Sequence, residues 1–305
     1  MSAAAELENL NWERDGHDWP NAAHSRFVDV GGLRWHVQEF GQGDALLLFH
    51  GAGAATHSWR DLAPLLGQRA RILALDLPGH GFSSPLESAQ LTLPGVAAAV
   101  LKLLQELDVR PRFTIGHSAG AALALYMTLK GLVEPERLIS LNGAHLPLRG
   151  FPAWLYSPVA RFISESRSLP RWFARRAGDR QVVANLMNGT GSCLDDYGMN
   201  LYWKLARSPS HVSAALGLMA GWDVRVIERE IAGLTRPISL ITGDNDLTVP
   251  PADSLRVREL VRDAHWISQP GLGHLAHEER PQETAELIWQ ETGLVRGDDS
   301  VRARA

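Results

Sequence analysis

Cysteine is scarce in this sequence, and Cys193 is the only one among 305 residues. A single thiol cannot form a disulfide within the chain, so nothing in the sequence requires an oxidising compartment. We interpret Cys193 as a small packing residue.

An excess of positive charge is also missing. The chain has 30 lysine and arginine residues against 34 aspartate and glutamate residues, which gives a formal net charge of −4. Nucleic-acid binding normally requires a concentrated basic surface, so we expect no nucleic-acid partner.

Long apolar runs are absent as well. No segment offers about 18 uninterrupted apolar residues, the length that a membrane-spanning helix needs. Residues 1–21 carry five acidic side chains where a secretory signal would need an apolar stretch. We therefore expect no transmembrane segment and a cytoplasmic location, with contact at a membrane surface left open.

Short apolar segments alternate with helical patterns, which predicts an α/β fold with a mostly parallel, doubly wound sheet. A helix over residues 94–107 is expected to pack one face on this sheet. A second helix, over residues 281–292, is expected to close the fold. The predicted strands span residues 35–40, 45–50, 71–76, 113–116, 138–142, 238–242 and 264–267.

Residues 144–232 interrupt this alternation and are rich in helix formers, aromatic residues and arginine. We interpret them as a helical lid inserted into a core formed by residues 24–143 and 233–293. Residues 1–23 are then an N-terminal extension, and residues 294–305 a flexible tail.

The motif G-x-S-x-G occupies residues 116–120, between a predicted strand and a predicted helix. A strand-to-helix turn this tight leaves room only for glycine on both sides of the serine. The motif therefore predicts Ser118 as a catalytic nucleophile. By itself it is also compatible with a plain turn serine, so further support is needed.

The sequence His-Gly-Ala-Gly at residues 50–53 provides such support, because it follows an apolar strand where an oxyanion-hole loop belongs. The backbone N–H groups of Ala52 and Ala119 are the candidate donors. Together they would hold the negative oxygen of a tetrahedral intermediate.

Candidates for the acid and the base follow the last two predicted strands. Asp246 is favoured as the acid, while Asp244 remains an alternative that is better placed to shape the turn. His274, in a glycine-flanked loop, is the predicted base, and His277 is expected to cap or pack. The order Ser118, Asp246, His274 is the order typical of one fold family.

Residues 24–292 resemble the α/β-hydrolase superfamily, including the Asp-Leu-Pro-Gly-His-Gly turn at residues 76–81. Related epoxide hydrolases and haloalkane dehalogenases have aspartate at the nucleophile position, so Ser118 speaks against their chemistry. The resemblance implies hydrolysis of an ester-like bond, with amide, thioester and carbon–carbon bonds still open.

Residues 12–14, 35–38, 50–62 and 116–120 show a closer resemblance, to the BchO family of magnesium-chelatase accessory proteins in bacteriochlorophyll synthesis. It implies a role near magnesium insertion into protoporphyrin, with chelatase subunits as possible partners. The resemblance indicates a pathway rather than a reaction. Ala52 departs from the commoner His-Gly-Thr-Gly pattern, which removes a hydroxyl but keeps the backbone donor.

Two residue types are concentrated in the predicted lid. Its aromatic residues are compatible either with lid packing or with a pocket for a flat ligand such as a tetrapyrrole. Its arginines are compatible with a solvated face, an anionic membrane surface or carboxylate recognition. The aromatic residues are Trp154, Tyr156, Phe162, Trp172, Phe173, Tyr197, Tyr202, Trp203 and Trp222, and the arginines are Arg161, Arg167, Arg171, Arg175, Arg176 and Arg180.

We expect no cofactor and no metal, because the histidines form no ligand motif such as H-E-x-x-H. The predicted function is that of a serine hydrolase acting on a small-molecule substrate. Two alternatives remain. One is a tetrapyrrole-binding or delivery module that assists magnesium chelatase without hydrolysis, and the other is a general small-ester esterase or perhydrolase.

Overall fold

A computed structural model describes residues 7–147 and 168–294 of the chain. Most of the predicted tail lies outside the described residues. So do five of the lid side chains considered above, namely Trp154, Tyr156, Arg161, Phe162 and Arg167.

Eight strands form one sheet in the described part of the chain, in the order β1-β2-β4-β3-β5-β6-β7-β8. The pairs β1–β2 and β2–β4 are antiparallel, and the other pairs are parallel. The mostly parallel sheet predicted from the sequence is thereby confirmed. The strands are β1 (Ser25–Val30), β2 (Leu33–Phe40), β3 (Ala45–Phe49), β4 (Arg71–Leu75), β5 (Phe113–His117), β6 (Arg137–Leu141), β7 (Ile238–Gly243) and β8 (Ala264–Gln269).

Helices cover both faces of the sheet and also form most of the described part of residues 144–232, the predicted lid, for which the name lid is kept below. In chain order they are α1 (Trp12–Asp15), α2 (Leu62–Leu66), α3 (Leu93–Glu106), α4 (Ala119–Leu129), α5 (Ser168–Arg176), α6 (Arg180–Asn188), α7 (Asp196–Ala206), α8 (Pro209–Gly221), α9 (Arg225–Glu230), α10 (Pro251–Leu260), α11 (Ala276–Glu279) and α12 (Pro281–Thr292). Short 3₁₀ turns at Ala22–His24, Thr56–Trp59, Ser88–Gln90 and Ile231–Gly233 connect some of them.

Strand β3 shows why both faces need cover. Leu47 and Phe49 point into one hydrophobic cluster, while Leu46 and Leu48 point into a second cluster on the opposite face, and all four are fully buried. Successive side chains of a strand alternate between faces, so a continuous apolar run requires helices on both sides.

Strand β1 was not predicted from the sequence. Only Val28 among its residues is buried, because β1 is the edge strand of the sheet. A half-exposed edge strand lacks the apolar run that marked the central strands. The neighbouring glycines Gly31 and Gly32, with φ of 62° and 78°, form the tight hairpin turn to β2.

The described aromatic residues of the lid differ in burial, and Trp203 is half-buried. Tyr202 and Trp222 are buried, whereas Trp172, Phe173 and Tyr197 are exposed. Neither lid packing nor a ligand pocket therefore accounts for all of them.

The arginine run and Cys193 lie at the surface of the lid. The described arginines of the run, from Arg171 to Arg180, are exposed as expected of a solvated face. Cys193 is also exposed, so its interpretation as a packing residue is wrong. Cys193 lies shortly before α7, and its side chain contacts solvent rather than the lid core.

The segment before β1 packs against the rest of the molecule. Trp19 is buried and its indole N–H donates to Thr56 Oγ1 at 3.1 Å. Lys204 of α7 binds the Asp18 carboxylate at 2.7 Å. Residues 7–23 thus contact both the core and the lid. Over the described ranges, no helix has the length and apolar character needed to cross a bilayer.

Candidate active site

Ser118 lies at the turn between β5 and α4 with φ of 51° and ψ of −118°. This backbone conformation is strained for a residue with a side chain, and such strain is concentrated at functional sites. The flanking glycines are sterically required, because a Cβ on Gly116 would lie 2.4 Å from Ala121 Cα and one on Gly120 would lie 2.1 Å from the Phe49 carbonyl oxygen. The turn therefore presents the serine hydroxyl away from the sheet.

A cavity of about 190 Å³ opens in front of Ser118. Its described lining is apolar apart from Ser118, Thr248 and His274, and it contains no charged lysine, arginine, aspartate or glutamate. The lining residues are Ala52, Ser118, Ala119, Ala122, Ala144, Leu146, Leu218, Met219, Trp222, Val224, Thr248, Val249 and His274.

The structure brings His274 and Asp246 together, although 28 positions separate them in the sequence. His274 Nδ1 lies 2.8 Å from Asp246 Oδ2. Because a carboxylate can only accept, the Nδ1 nitrogen carries the proton and the Nε2 nitrogen is left to act as a base. His274 reaches the cavity, and the Asp246 side chain is buried behind it.

Asp246 is held in place by several donors. Its Oδ1 atom accepts from the backbone N–H groups of Thr248 at 2.8 Å and Val249 at 2.9 Å. Its Oδ2 atom accepts from Asn142 Nδ2 at 2.8 Å. Donors on both oxygens fix the plane of the carboxylate toward the imidazole. Asp244, the alternative acid, is exposed and accepts from the Gly271 N–H at 2.6 Å instead.

Ser118 and His274 line the same cavity without a direct hydrogen bond between their side chains in the described structure. Hydrogen bonds between catalytic groups are often long in ligand-free enzymes and shorten when substrate binds. The three predicted residues Ser118, Asp246 and His274 therefore meet at one end of the sheet.

The predicted oxyanion-hole residues border the same cavity. Ala52 and Ala119 both line it, and neither backbone N–H has an acceptor among the described residues. The loop that carries Ala52 is anchored by His50, whose Nδ1 donates to the Gly51 carbonyl at 2.8 Å and whose Nε2 accepts from the Leu77 N–H at 2.9 Å. Burial lowers the pKa of His50, which keeps this ring neutral.

Asn142 was missed by the sequence reasoning. It follows β6 with a left-handed φ of 48° and donates to Asp246 Oδ2 and, at 3.3 Å, to the Gly273 carbonyl oxygen. It thereby joins the loop of Asp246 to the loop of His274. The available signal was a polar residue directly after a central parallel strand, at the edge where ligands bind in α/β sheets.

His277 packs in the interior, and packing is one of the two roles expected of it from the sequence. Its Nε2 atom lies 2.9 Å from Ser58 Oγ, and its ring lies against His117, with 4.4 Å between the centroids. Burial lowers its pKa to about 3. His117 in turn donates from Nε2 to the His274 carbonyl at 2.9 Å, so it supports the backbone of the base.

A buried ion pair lies behind this group. Arg60 binds the Glu278 carboxylate, which also accepts from Ser58 Oγ at 2.6 Å and from the Tyr202 hydroxyl at 2.7 Å. Tyr202 belongs to lid helix α7, so the pair connects the lid to the core. Burial raises the pKa of Glu278. Within the described ranges, no three or more histidine, cysteine, aspartate or glutamate side chains are grouped to hold a metal ion.

Comparison with known proteins places these features in a family context. A model of the alpha/beta hydrolase family matches residues 46–287. The chain is 33% identical over 263 residues to the magnesium-chelatase 30 kDa subunit of Rhodobacter capsulatus, covering 86% of this chain and 92% of that protein.

Other relatives carry different names. The chain is 28% identical over 261 residues to the pimeloyl-[acyl-carrier protein] methyl ester esterase of Aeromonas hydrophila, covering 83% of this chain and 96% of that protein. A solved alpha/beta hydrolase fold protein from Burkholderia ambifaria is similar with a TM-score of 0.71 and 22% identity, covering 88% of this chain and 100% of that one. This last likeness concerns the fold alone.

Proposed function

This chain belongs to the alpha/beta hydrolase family and is related to the magnesium-chelatase 30 kDa subunit, and we propose that it is a serine hydrolase of an ester-like bond. Its sequence motifs indicated the same relatives. The observation that carries the proposal is the strained Ser118 turn, which shares one apolar cavity with the base of a buried histidine–aspartate pair. We assign Ser118 as nucleophile, His274 as base and Asp246 as acid, with the amides of Ala52 and Ala119 as the oxyanion hole.

In the proposed reaction, Ser118 Oγ attacks the carbonyl carbon while its proton passes to His274 Nε2. Asp246 stabilises the imidazolium that forms, and the two backbone amides bind the negative oxygen of the tetrahedral intermediate. The protonated histidine then gives its proton to the leaving alcohol. Water hydrolyses the acyl-enzyme with the same histidine as base, which regenerates the free serine.

The cavity limits what part of a substrate reaches Ser118. Its volume of about 190 Å³ is below the roughly 300–1,000 Å³ of pockets that enclose drug-sized ligands. An apolar lining without charged groups favours a neutral ester arm over a free carboxylate, because burying an unpaired charge is costly. We infer a small apolar acyl or alkoxy group in the cavity, with any bulkier part of the substrate outside it.

The pathway and the cellular location of this reaction are part of the same proposal. The name of the Rhodobacter capsulatus relative links that protein to magnesium chelatase. We extend this link to a role in bacteriochlorophyll biosynthesis in the cytoplasm, with chelatase subunits as partners and a tetrapyrrole as the bulkier part of the substrate. In that arrangement an ester side arm enters the cavity and the macrocycle stays outside.

The chemistry is tested by labelling with a fluorophosphonate probe and by hydrolysis of p-nitrophenyl butyrate. Wild-type protein should bind one probe per chain, and Ser118→Ala should bind none and lose at least about 10³-fold in kcat. Ser88→Ala, at an exposed serine away from the cavity, is the control and should behave as wild type. Equal labelling of Ser118→Ala and wild type would overturn the assignment.

The same variant separates the hydrolase from a binding or delivery module, which the name of the chelatase relative also favours. A strain that lacks the gene is complemented with wild type or Ser118→Ala, and its pigments are identified. Restoration by wild type alone supports hydrolysis in the pathway. Equal restoration by both supports delivery without hydrolysis, and restoration by neither would contradict the pathway assignment and favour a general esterase.

A further inference from the structure

His211 connects the lid to two loops of the core. It lies near the start of lid helix α8 and is buried. Its Nε2 atom lies 3.0 Å from the carbonyl oxygen of Gly53, the residue after Ala52. Its Nδ1 atom lies 3.1 Å from the backbone nitrogen of Gly81, in the turn after β4. One side chain of the lid therefore contacts both the loop that carries Ala52 and the turn after β4.

These two partners select one form of the ring. A carbonyl oxygen can only accept and a backbone N–H can only donate, so Nε2 must carry the proton and Nδ1 must be unprotonated. A neutral imidazole of this tautomer satisfies both loops at once. Burial lowers the pKa of His211 to about 4, which keeps the ring neutral at physiological pH.

Close packing joins the same helix to the same turns. A Cβ on Gly79 would lie 2.6 Å from Ala214 Cβ, and a Cβ on Gly53 would lie 3.9 Å from Ala215 Cβ. Helix α8 thus lies directly on both turns, and it approaches the turn after β4 so closely that only glycine fits at residue 79. The Gly53 loop is in van der Waals contact with the helix in addition to its bond with His211.

The far end of α8 forms a wall of the cavity. Leu218 and Met219 of this helix, and Trp222 directly after it, are lining residues. An acyl or alkoxy group in the cavity would contact these side chains, about two helical turns from His211. Helix α8 therefore joins the surface that contacts substrate to the loop that carries an oxyanion donor.

We propose that His211 is a positioning residue of the oxyanion hole, through which lid helix α8 sets the place of the Ala52 amide. The inference rests on the proposed hydrolase function. The His211 ring binds Gly53 and Gly81, the loop between residues 51 and 54 takes its position from this bond, and the Ala52 N–H is aimed at the carbonyl oxygen of the substrate. Contacts of the substrate with α8 stabilise the same arrangement.

The test compares His211→Phe and His211→Gln with wild type. His211→Phe keeps a flat ring but removes both hydrogen bonds, so kcat for p-nitrophenyl butyrate should fall about 10- to 100-fold, less than the full loss of one oxyanion donor. KM should change less than 3-fold, since the cavity wall is kept. His211→Gln retains one donor and one acceptor and should recover a measurable part of kcat.

A trifluoromethyl ketone that forms a tetrahedral adduct with Ser118 provides the second measurement. Its affinity should fall in proportion to kcat/KM across the variants, because it presents the oxyanion that the substrate ground state lacks. His24→Phe is the matched control. It also removes a histidine-to-carbonyl bond, to Glu39 at 2.9 Å, but at an exposed position outside the cavity lining, and it should leave both values unchanged.

Thermal unfolding of each variant shows that the compared proteins are folded. An unchanged kcat in folded His211→Phe, or a rise in KM that accounts for the whole loss, would overturn the role of His211. If wild type neither binds the fluorophosphonate probe nor hydrolyses the ester, the proposed function itself fails. The two failures are therefore distinguishable.

Discussion

At the residue scale, two aspartates that lie two positions apart have different surroundings. Asp246 is buried and its oxygens meet His274, Asn142 and two backbone N–H groups. Asp244 is exposed and accepts from the Gly271 N–H across the loop. The difference comes from direction rather than residue type, because the turn after β7 aims one carboxylate inward and the other outward.

Replacing Asp246 by Asn should lower kcat for ester hydrolysis by about 10³- to 10⁴-fold with little change in KM. An amide at this position no longer stabilises the imidazolium and favours the wrong tautomer of His274. The measurement is steady-state hydrolysis of p-nitrophenyl butyrate. Asp244→Asn is the matched control and should stay within about 3-fold of wild type, and a reversed order of the two variants would reject the assignment of the acid.

At the element scale, a short lid turn clamps the loops of the acid and the base. The Thr190 carbonyl oxygen accepts from the backbone N–H groups of Leu247 and His274, both at 3.2 Å. The Gly191 carbonyl oxygen accepts from Asn245 Nδ2 at 2.7 Å. Residues of the lid thus help to hold Asp246 and His274 at their separation, in addition to lining the cavity.

Gly191→Ala should destabilise the protein and lower kcat. Gly191 has φ of 80°, and a Cβ there would lie 2.0 Å from the Asn245 carbonyl oxygen, so the loop of the acid must move. Gly271→Ala is the control, because Gly271 has φ of 75° and no atom within 4 Å of the added Cβ.

Both variants carry the cost of a left-handed alanine, about 1–2 kcal/mol. The clash should add about 1–3 kcal/mol for Gly191→Ala alone. Urea unfolding measures the free energies, and ester hydrolysis measures kcat. Equal free energies and equal kcat values for the two variants would show that the turn does not clamp the loops.

At the scale of the whole molecule, seven buried histidines among the described residues are held in the neutral form. Burial lowers the pKa of each of these rings, to about 4 for His145 and His211 and to about 3 for His277. The complete set with lowered pKa values is His50, His57, His80, His117, His145, His211 and His277.

These histidines should make the protein sensitive to acid. The unfolded chain takes up protons near pH 6.5 while the folded rings stay neutral, so their contribution to stability is complete above pH 6.5 and is lost as the pH falls toward 4. Each ring can remove up to about 1.4 kcal/mol per pH unit in this window. We expect the free energy of unfolding to fall by several kcal/mol between pH 7 and 5.

Urea unfolding at pH 7, 6 and 5 measures this slope. His145→Gln removes one titrating ring outside the proposed triad, so its slope should be smaller, by up to about 1.4 kcal/mol per pH unit at the acid end of the window. A free energy of unfolding that stays constant from pH 7 to 5 would contradict the prediction.

The central elements of the fold could be predicted from sequence because their patterns are local. The seven predicted strands correspond to observed strands with ends that differ by at most two residues, and helix α3 is displaced by one residue from the predicted span. Their apolar runs and periodicities arise from burial on both faces of the sheet. Edge strand β1 has no such run, so the same reasoning could not find it.

The sequence by itself determined the turn around Ser118, because the glycines on either side are demanded by contacts within a few residues of the turn and with the adjoining strand. It also determined which short segments carry the candidate acid, base and oxyanion donors. Tertiary structure alone decided that Asp246 rather than Asp244 faces His274, that Asn142 joins their loops, and that His211 and Thr190 of the lid hold the cavity loops. Hydrogen bonds between residues 28 to 158 positions apart depend on how loops converge at one edge of the sheet, and no local pattern encodes that convergence.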